Sequence, residues 1–326
     1  MSSADQTPVP WKPQGVEHVE PILPQSSELA TVARPGTPGE ELATPADRRS
    51  TRRRMLHLAR RPYTLSMLIL LAAIVFIAAF GPLLAPYNPL KIDVLNETLP
   101  PSTAHFFGTD DIGHDIFSRV LVGARYSLEV VVIILSLAIL IGVVIGAVAG
   151  YFGGLIDEAL MRITEIFLAF PTLILSLAVA ATLGPSLVNV MISIGIVSWP
   201  GYARLLRGQI LAVKNFTYVE AAYSVGVPPL RVLGRHVLPN AIAPLIAQVS
   251  LDLAGTLLTA ASLGFLGLGA QPPTPEWGTM VSSGLQYTLS AWWYPTFPGL
   301  AIFVTALCLN SLGEYLRDVF APETVD

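Results

Sequence analysis

Six runs of mostly apolar residues, each about twenty long, decide what this chain can become. They cover approximately residues 63–86, 126–150, 159–183, 187–206, 241–262 and 297–316. The hydrocarbon core of a bilayer is about 30 Å thick, and a helix crosses it in about 20 residues. Inside that core a free backbone N–H or C=O has no water to bond, so each run must satisfy itself as a helix. The expectation is an all-α integral membrane protein with six transmembrane helices. Charge content agrees: Asp, Glu, Lys and Arg make up 13% of the 326 residues, against roughly 25% in soluble domains.

Lys and Arg set the orientation, because they gather on the cytoplasmic side. Arg48, Arg49, Arg52, Arg53, Arg54, Arg60 and Arg61 precede the first run. Arg207, Lys214, Arg231 and Arg235 lie between the fourth and fifth runs, with Arg204 near the membrane edge, while residues 263–296 hold no Lys or Arg. Six spans with both the N and C termini cytoplasmic fit this pattern. Seven arginines beside a membrane span are ordinary topology signals, so no nucleic acid is expected as a partner. Residues 1–47 carry eight prolines and little apolar periodicity, a composition that predicts a disordered cytoplasmic tail. With no early positive region and no short apolar core, the tail does not read as a signal peptide. Residues 48–62 then form a basic juxtamembrane segment, and 63–320 the membrane domain.

Two features inside the spans point beyond simple anchoring. Gly142, Gly146 and Gly150 repeat every fourth residue, a spacing that lets helices approach closely. Asp252 stands near the middle of the fifth run. A carboxylate at that depth costs several kcal/mol unless it meets a partner or water. It is expected at a pathway or a subunit interface. Cys308 is the sole cysteine, so no internal disulfide can form.

The cytoplasmic segment 203–240 is the most informative. Thr217 and Glu220 have the spacing of a capping box that opens a helix. Gly226 can close it in the left-handed conformation. Pro228 and Pro229 suit the first turn of a second helix, expected from Leu230 to Leu238 and ending before Pro239. The first helix would be about 12 Å long, with Ala221 and Ala222 as a low surface that another protein can approach.

Glu220-Ala221-Ala222 with Gly226, then Val237-Leu238-Pro239-Asn240, resembles the EAA loop of ABC importer permeases. Phe107-Gly108-Thr109-Asp110-Asp111-Ile112-Gly113-His114-Asp115-Ile116-Phe117-Ser118-Arg119 is similar to the signature of the peptide and nickel branch, with His114 where that family has Arg. Phe265 to Gly278, including Gln271-Pro272-Pro273-Thr274-Pro275-Glu276-Trp277, resembles the C subunit of dipeptide and oligopeptide permeases. The resemblance spans roughly 56–322.

It implies the type I permease fold and a pore-forming role in importing di- or oligopeptides. Four kinds of partner are implied: a homologous second permease, two ATP-binding subunits, an extracytoplasmic peptide-binding protein, and membrane lipid. ATP and Mg would sit on the partner ATPases, with no cofactor on this chain. Thr217, Glu220, Ala221, Ala222, Gly226, Arg231 and Pro239 would couple to the ATPase. Gln271, Glu276 and Trp277 would serve the outer gate or touch the binding protein. Three prolines in 266–278 preclude a regular helix there, and Trp277 suits a membrane interface.

Nickel or glutathione import is the neighbouring alternative. An ion-coupled secondary transporter is the alternative from another class, with Asp252 as its ion site. No G-x-x-x-x-G-K-[ST] run is present, so a P-loop ATPase is not expected here. His105, Asp110, Asp111, His114 and Asp115 match no standard metal spacing.

Overall fold

The computed structural model describes residues 62–320, which lie within one compact unit, Leu42–Asp326. The expectations for the tail, for most of the basic segment and for both termini fall outside the described residues.

Among the described residues the regular structure is all helical apart from one isolated bridge. We number the helices α1 (Pro62–Leu84), α2 (Ile116–Phe152), α3 (Gly154–Leu168), α4 (Thr172–Leu183), α5 (Leu187–Val213), α6 (Thr217–Ser224), α7 (Pro229–Val232), α8 (Leu238–Ala241), α9 (Ala243–Phe265), α10 (Trp277–Leu285) and α11 (Trp293–Phe320). By length and composition α1, α2, α9 and α11 can each cross a membrane, and α3 with α4 makes a fifth candidate if counted together.

Two of the expected spans differ from the sequence reading. Residues 159–183 are not one straight helix: α3 and α4 meet at an angle of 89°. Pro171 caps α4 and cannot donate to the preceding turn, which breaks the helix there. Ahead of the break, α3 carries Asp157, Glu158, Arg162 and Glu165, so it is amphipathic. The 187–206 run does form α5, but this helix is not among those apolar enough to qualify alone. Its enclosure explains why. Trp199, Pro200, Tyr202, Ala203, Leu206 and Ile210 are all buried, so much of its surface meets protein and need not be as apolar as a lipid-facing helix.

The bundle is organised on the seam between α2 and α5, its most extensive helix pair. Built Cβ atoms on Gly142, Gly146 and Gly150 would fall 2.7 Å from Tyr202 Cβ, 2.5 Å from Ala203 O and 3.0 Å from Arg207 O. The four-residue glycine ladder is therefore a packing surface, and α5 lies directly on the α2 backbone. α9 joins this pair, and α11 packs on α9 and α1.

On the side opposite α6–α8, residues 85–115 fold into a compact cap. Asp110 lies 2.8 Å from His114 Nδ1 and accepts from the His114 and Ile112 backbone N–H groups. Arg119 Nε is 3.9 Å from the same carboxylate. Asp115 caps α2 by accepting from Ser118 N at 2.8 Å and also meets His105. Asp111 accepts from the hydroxyls of Tyr287 and Tyr294, tying the cap to the α10–α11 region. The signature segment thus acts as a latch. His114 is one of its buried members.

Candidate functional site

The segment from Asn215 to Ala241 forms a braced hairpin beyond the ends of α2 and α5. Val219, Ala222, Val232, Val237 and Ala241 are buried with Ala147, Leu206, Ile210 and Val213 in one apolar cluster. The hairpin therefore shares its core with the two central helices. Polar contacts add to this. Lys214 Nζ donates to Gly150 O at 3.2 Å, at the C-terminal end of α2. The Tyr151 hydroxyl bonds the Tyr223 hydroxyl and donates to Pro229 O at 2.6 Å, gripping both arms. Arg207 Nε and Nη2 hold the two oxygens of Asp157 at 2.5 and 2.6 Å, fixing α3 to α5 beside it.

The start of α6 differs from the expected capping box. Phe216, not Thr217, is the N-cap, and no side chain caps this end. Its carbonyl accepts from Val219 N and Glu220 N instead. Thr217 is thus the first helical residue, one position too late for its hydroxyl to cap, and Glu220 lies in the first turn, where its charge suits the helix dipole. The end of α6 is as expected. Gly226 has φ +80°. Its N–H bonds Tyr223 O, and Val227 N bonds Ala222 O, which together make a Schellman motif. Ala222 faces inward and is buried, so only Ala221 of the alanine pair is exposed.

The second arm also departs from expectation at Pro239. It does not stop there: α7 runs into a π turn, Leu233–Val237, and on into α8, Leu238–Ala241. Leu238 N reaches back to Leu233 O. A proline in a helix removes one N–H and crowds the carbonyl four residues back. The widened turn just upstream absorbs both faults and lets the helix proceed. Arg231 and Pro239 are exposed on this arm.

What remains uncovered is the tip. Phe216, Tyr223, Val225 and Leu230 are exposed, Val225 at 80% and Leu230 at 71%. Glu220, Ala221 and Arg231 are exposed near them in the chain. An apolar tip with charged neighbours on a rigid support has the composition of a contact surface. Sequence reasoning missed this apolar component; the run Val225-Gly-Val-Pro-Pro-Leu230, apolar yet too proline-rich to span, was its signal.

The other expected site residues lie elsewhere. Asp252 is half-buried in α9 and accepts from the Tyr202 hydroxyl at 2.7 Å and from Gln248 Nε2 at 3.1 Å. Glu276 and Trp277 are buried, at 5% and 2% exposure. Glu276 caps α10 by accepting from Gly278 N and Thr279 N, at 2.8 and 2.9 Å. Trp277 Nε1 donates to Val120 O at 3.0 Å. Trp277 is therefore a packing residue rather than an interfacial anchor. Gln271, Pro272 and Pro273 are exposed in that segment, as are Phe265, Leu266 and Gly267 at its start.

Burial pushes the Glu276 carboxyl above the usual range, against the lowering effect of the backbone N–H groups it caps. A carboxyl raised in the folded state contributes most at low pH, and that contribution is lost as pH rises through the raised value. Glu276→Ala is therefore expected to lower thermal stability by about 1 kcal/mol, the usual cost of a lost cap. Its gap from the parent should be widest in acid and narrow toward alkaline pH. A melting series showing the gap widen with pH would mean that the capping bonds outweigh burial.

The family described as binding-protein-dependent transport system inner membrane component matches residues 142–325, which include the whole hairpin. The N-terminal TM domain of oligopeptide transport permease C matches residues 53–101. The probable D,D-dipeptide transport system permease protein DdpC of Escherichia coli is 45% identical over 80% of this chain and 88% of that protein. The dipeptide transport system permease protein DppC of Alkalihalophilus pseudofirmus is 42% identical over 78% and 84%. The glutathione transport system permease protein GsiD of Pectobacterium atrosepticum is 42% identical over 78% and 84%. With the family match spanning the glycine seam, the hairpin and the 265–278 segment alike, the chain belongs to the family of inner membrane components of binding-protein-dependent transport systems.

Proposed function

We propose that this chain is a pore-forming permease subunit of an ABC importer that moves di- and oligopeptides across the cytoplasmic membrane. The observation that carries the reading is the braced hairpin with an uncovered apolar tip. A subunit that receives motion from an ATPase needs a surface to be gripped and a stiff link from it to the pore helices. The hairpin supplies a candidate for each, since its core is shared with α2 and α5. The peptide assignment leans on the relatives whose names specify dipeptide transport.

In this reading the chain crosses the membrane six times in the type I arrangement, with both termini cytoplasmic. It pairs with a homologous permease and docks on two ATP-binding subunits, which carry ATP and Mg. Thr217, Glu220, Ala221, Gly226, Arg231 and Pro239 belong to the docking hairpin, and Ala222 to its inner packing. A peptide-binding protein delivers substrate at the outer face, where Gln271, Pro272 and Pro273 offer contact while Glu276 and Trp277 hold the segment in shape. Glutathione is the second reading, favoured by the relative whose name specifies it. Ion-coupled transport finds no counterpart in a family whose transport depends on a binding protein.

The test is reconstitution of the complete transporter in lipid with its binding protein. Dipeptide-loaded binding protein is expected to stimulate ATP hydrolysis and drive dipeptide uptake. Stimulation by glutathione alone would transfer the assignment to the second reading, and uptake without any copurifying ATPase would overturn both.

A further inference from the structure

α9 carries a polar face along its length. Gln248, Asp252, Gly255, Thr259 and Ser262 follow one another at alternating spacings of four and three residues. At 3.6 residues per turn they fall in a stripe about 80° wide. Gln248 and Gly255 are exposed, and Asp252, Thr259 and Ser262 half-buried. The opposite side of the helix holds Ala254, Leu257, Ala261 and Gly264, all buried. An apolar helix surface would suit lipid, so a polar stripe on a span faces either protein or water.

Asp252 decides which. Tyr202 and Gln248 donate to its two oxygens and fix its orientation, yet a carboxylate has about four acceptor positions and these use only two. Among the described residues no Lys, Arg or His forms an ion pair with it. Thr259 and Ser262 donate to the carbonyls of Gly255 and Leu258, at 2.8 and 2.7 Å, which leaves their oxygens as acceptors. A Cβ built on Gly255 meets nothing within 4 Å. The stripe is thus rich in acceptors, open at its centre and one positive charge short. Sealing it in a dry interface would strand the carboxylate, whereas a hydrated channel would not.

We propose that this stripe lines the translocation path and that Asp252 receives the α-ammonium group of the passing peptide. The inference rests on peptide import as proposed above and adds a chemical selection to it: a cationic amino terminus is held at Asp252 partway across.

The experiment uses the complete transporter in proteoliposomes with its binding protein. Asp252→Asn is expected to cut dipeptide uptake about tenfold or more, the worth of one charge-assisted hydrogen bond, while stimulated ATP hydrolysis persists. Asp252→Glu keeps the charge and should restore most of the uptake; a loss equal to that of Asp252→Asn would make the residue purely structural and overturn its role. In a Cys308→Ser background, cysteines placed at Gly255 and Thr259 should react with a membrane-impermeant thiol reagent in the assembled complex. Failure of both to react would place the stripe against the second subunit or lipid and refute the path. Normal uptake by Asp252→Asn, with labelling intact, would refute the ammonium role alone. A parent complex that labels at the stripe but imports no dipeptide would instead overturn the import reading, and the ammonium role with it, while leaving the hydrated stripe in place.

Discussion

Gly146→Leu is expected to remove the protein from the membrane fraction almost entirely. A Cβ at this position would stand 2.5 Å from the backbone oxygen of Ala203 and 3.1 Å from its Cα. Both obstacles are main chain, so no rotamer change can relieve them. α2 and α5 would have to separate along their seam, and that seam underlies the rest of the bundle. Overpacking a core costs typically about 1–3 kcal/mol, and a forced backbone separation belongs at the upper end or beyond. The apolar cluster under the hairpin includes Ala147, Leu206 and Ile210, so the same displacement would also unseat the hairpin. The control is Gly208→Ala on α5, where a built Cβ meets nothing within 4 Å. It should preserve yield, since removing a helical glycine is worth roughly 0.5–1 kcal/mol in the folded state's favour. Size-exclusion of the detergent-extracted complex reads both. A Gly146→Leu protein that assembles and melts like the parent would show that the seam can open.

Much of this was legible because the bilayer simplifies the coding. Length and apolarity mark α1, α2, α9 and α11 directly, and the ladder of Gly142, Gly146 and Gly150 announces a close helix contact without naming the partner. Most of the misreadings share one cause: tertiary surroundings change what a local signal means. α5 falls short of the apolarity of its neighbours because other helices shield it. The break at Pro171 is local instead, and it was hidden because the residues next to the proline, 166–170 and 172–175, are mostly apolar and read as continuous. At Thr217 the capping pattern is present, but the helix begins one residue early because Phe216 O already accepts from Val219 N and Glu220 N. At Pro239 the expected stop gives way to a π turn. Glu276 and Trp277 read as surface residues on chemistry alone; only the packing of α10 on α9 and of Trp277 on α2 reveals that they are internal. Gly226 was legible because a left-handed residue at a helix end needs no tertiary help.

Gly226→Val is expected to abolish uptake. The residue sits at φ +80°, a conformation that costs an L-residue roughly 1–2 kcal/mol and a β-branched one more. A Cβ there meets open space, so the penalty is conformational and the surrounding core is not overfilled. The hairpin should therefore persist on its buried residues Val219, Ala222, Val232 and Val237, while the Schellman closure between α6 and Val227 is lost. Val225 and Leu230, on either side of Gly226 at the exposed tip, would then point elsewhere. This separates folding from coupling. The complex should form at near-normal yield, yet either release its ATPase subunits or retain them with hydrolysis no longer tied to transport. Release assigns the damage to the docking surface; retained but futile hydrolysis assigns it to the lever. Gly226→Asn is the matched control, because asparagine tolerates the left-handed conformation, and it should keep most of the parental uptake. If valine and asparagine are equally damaging, side-chain bulk at the interface is responsible rather than backbone strain. If Gly226→Val imports peptide at the parental rate, the hairpin does not transmit the motion of the ATPase, and the strongest physical link between this chain and ATP-driven import is severed.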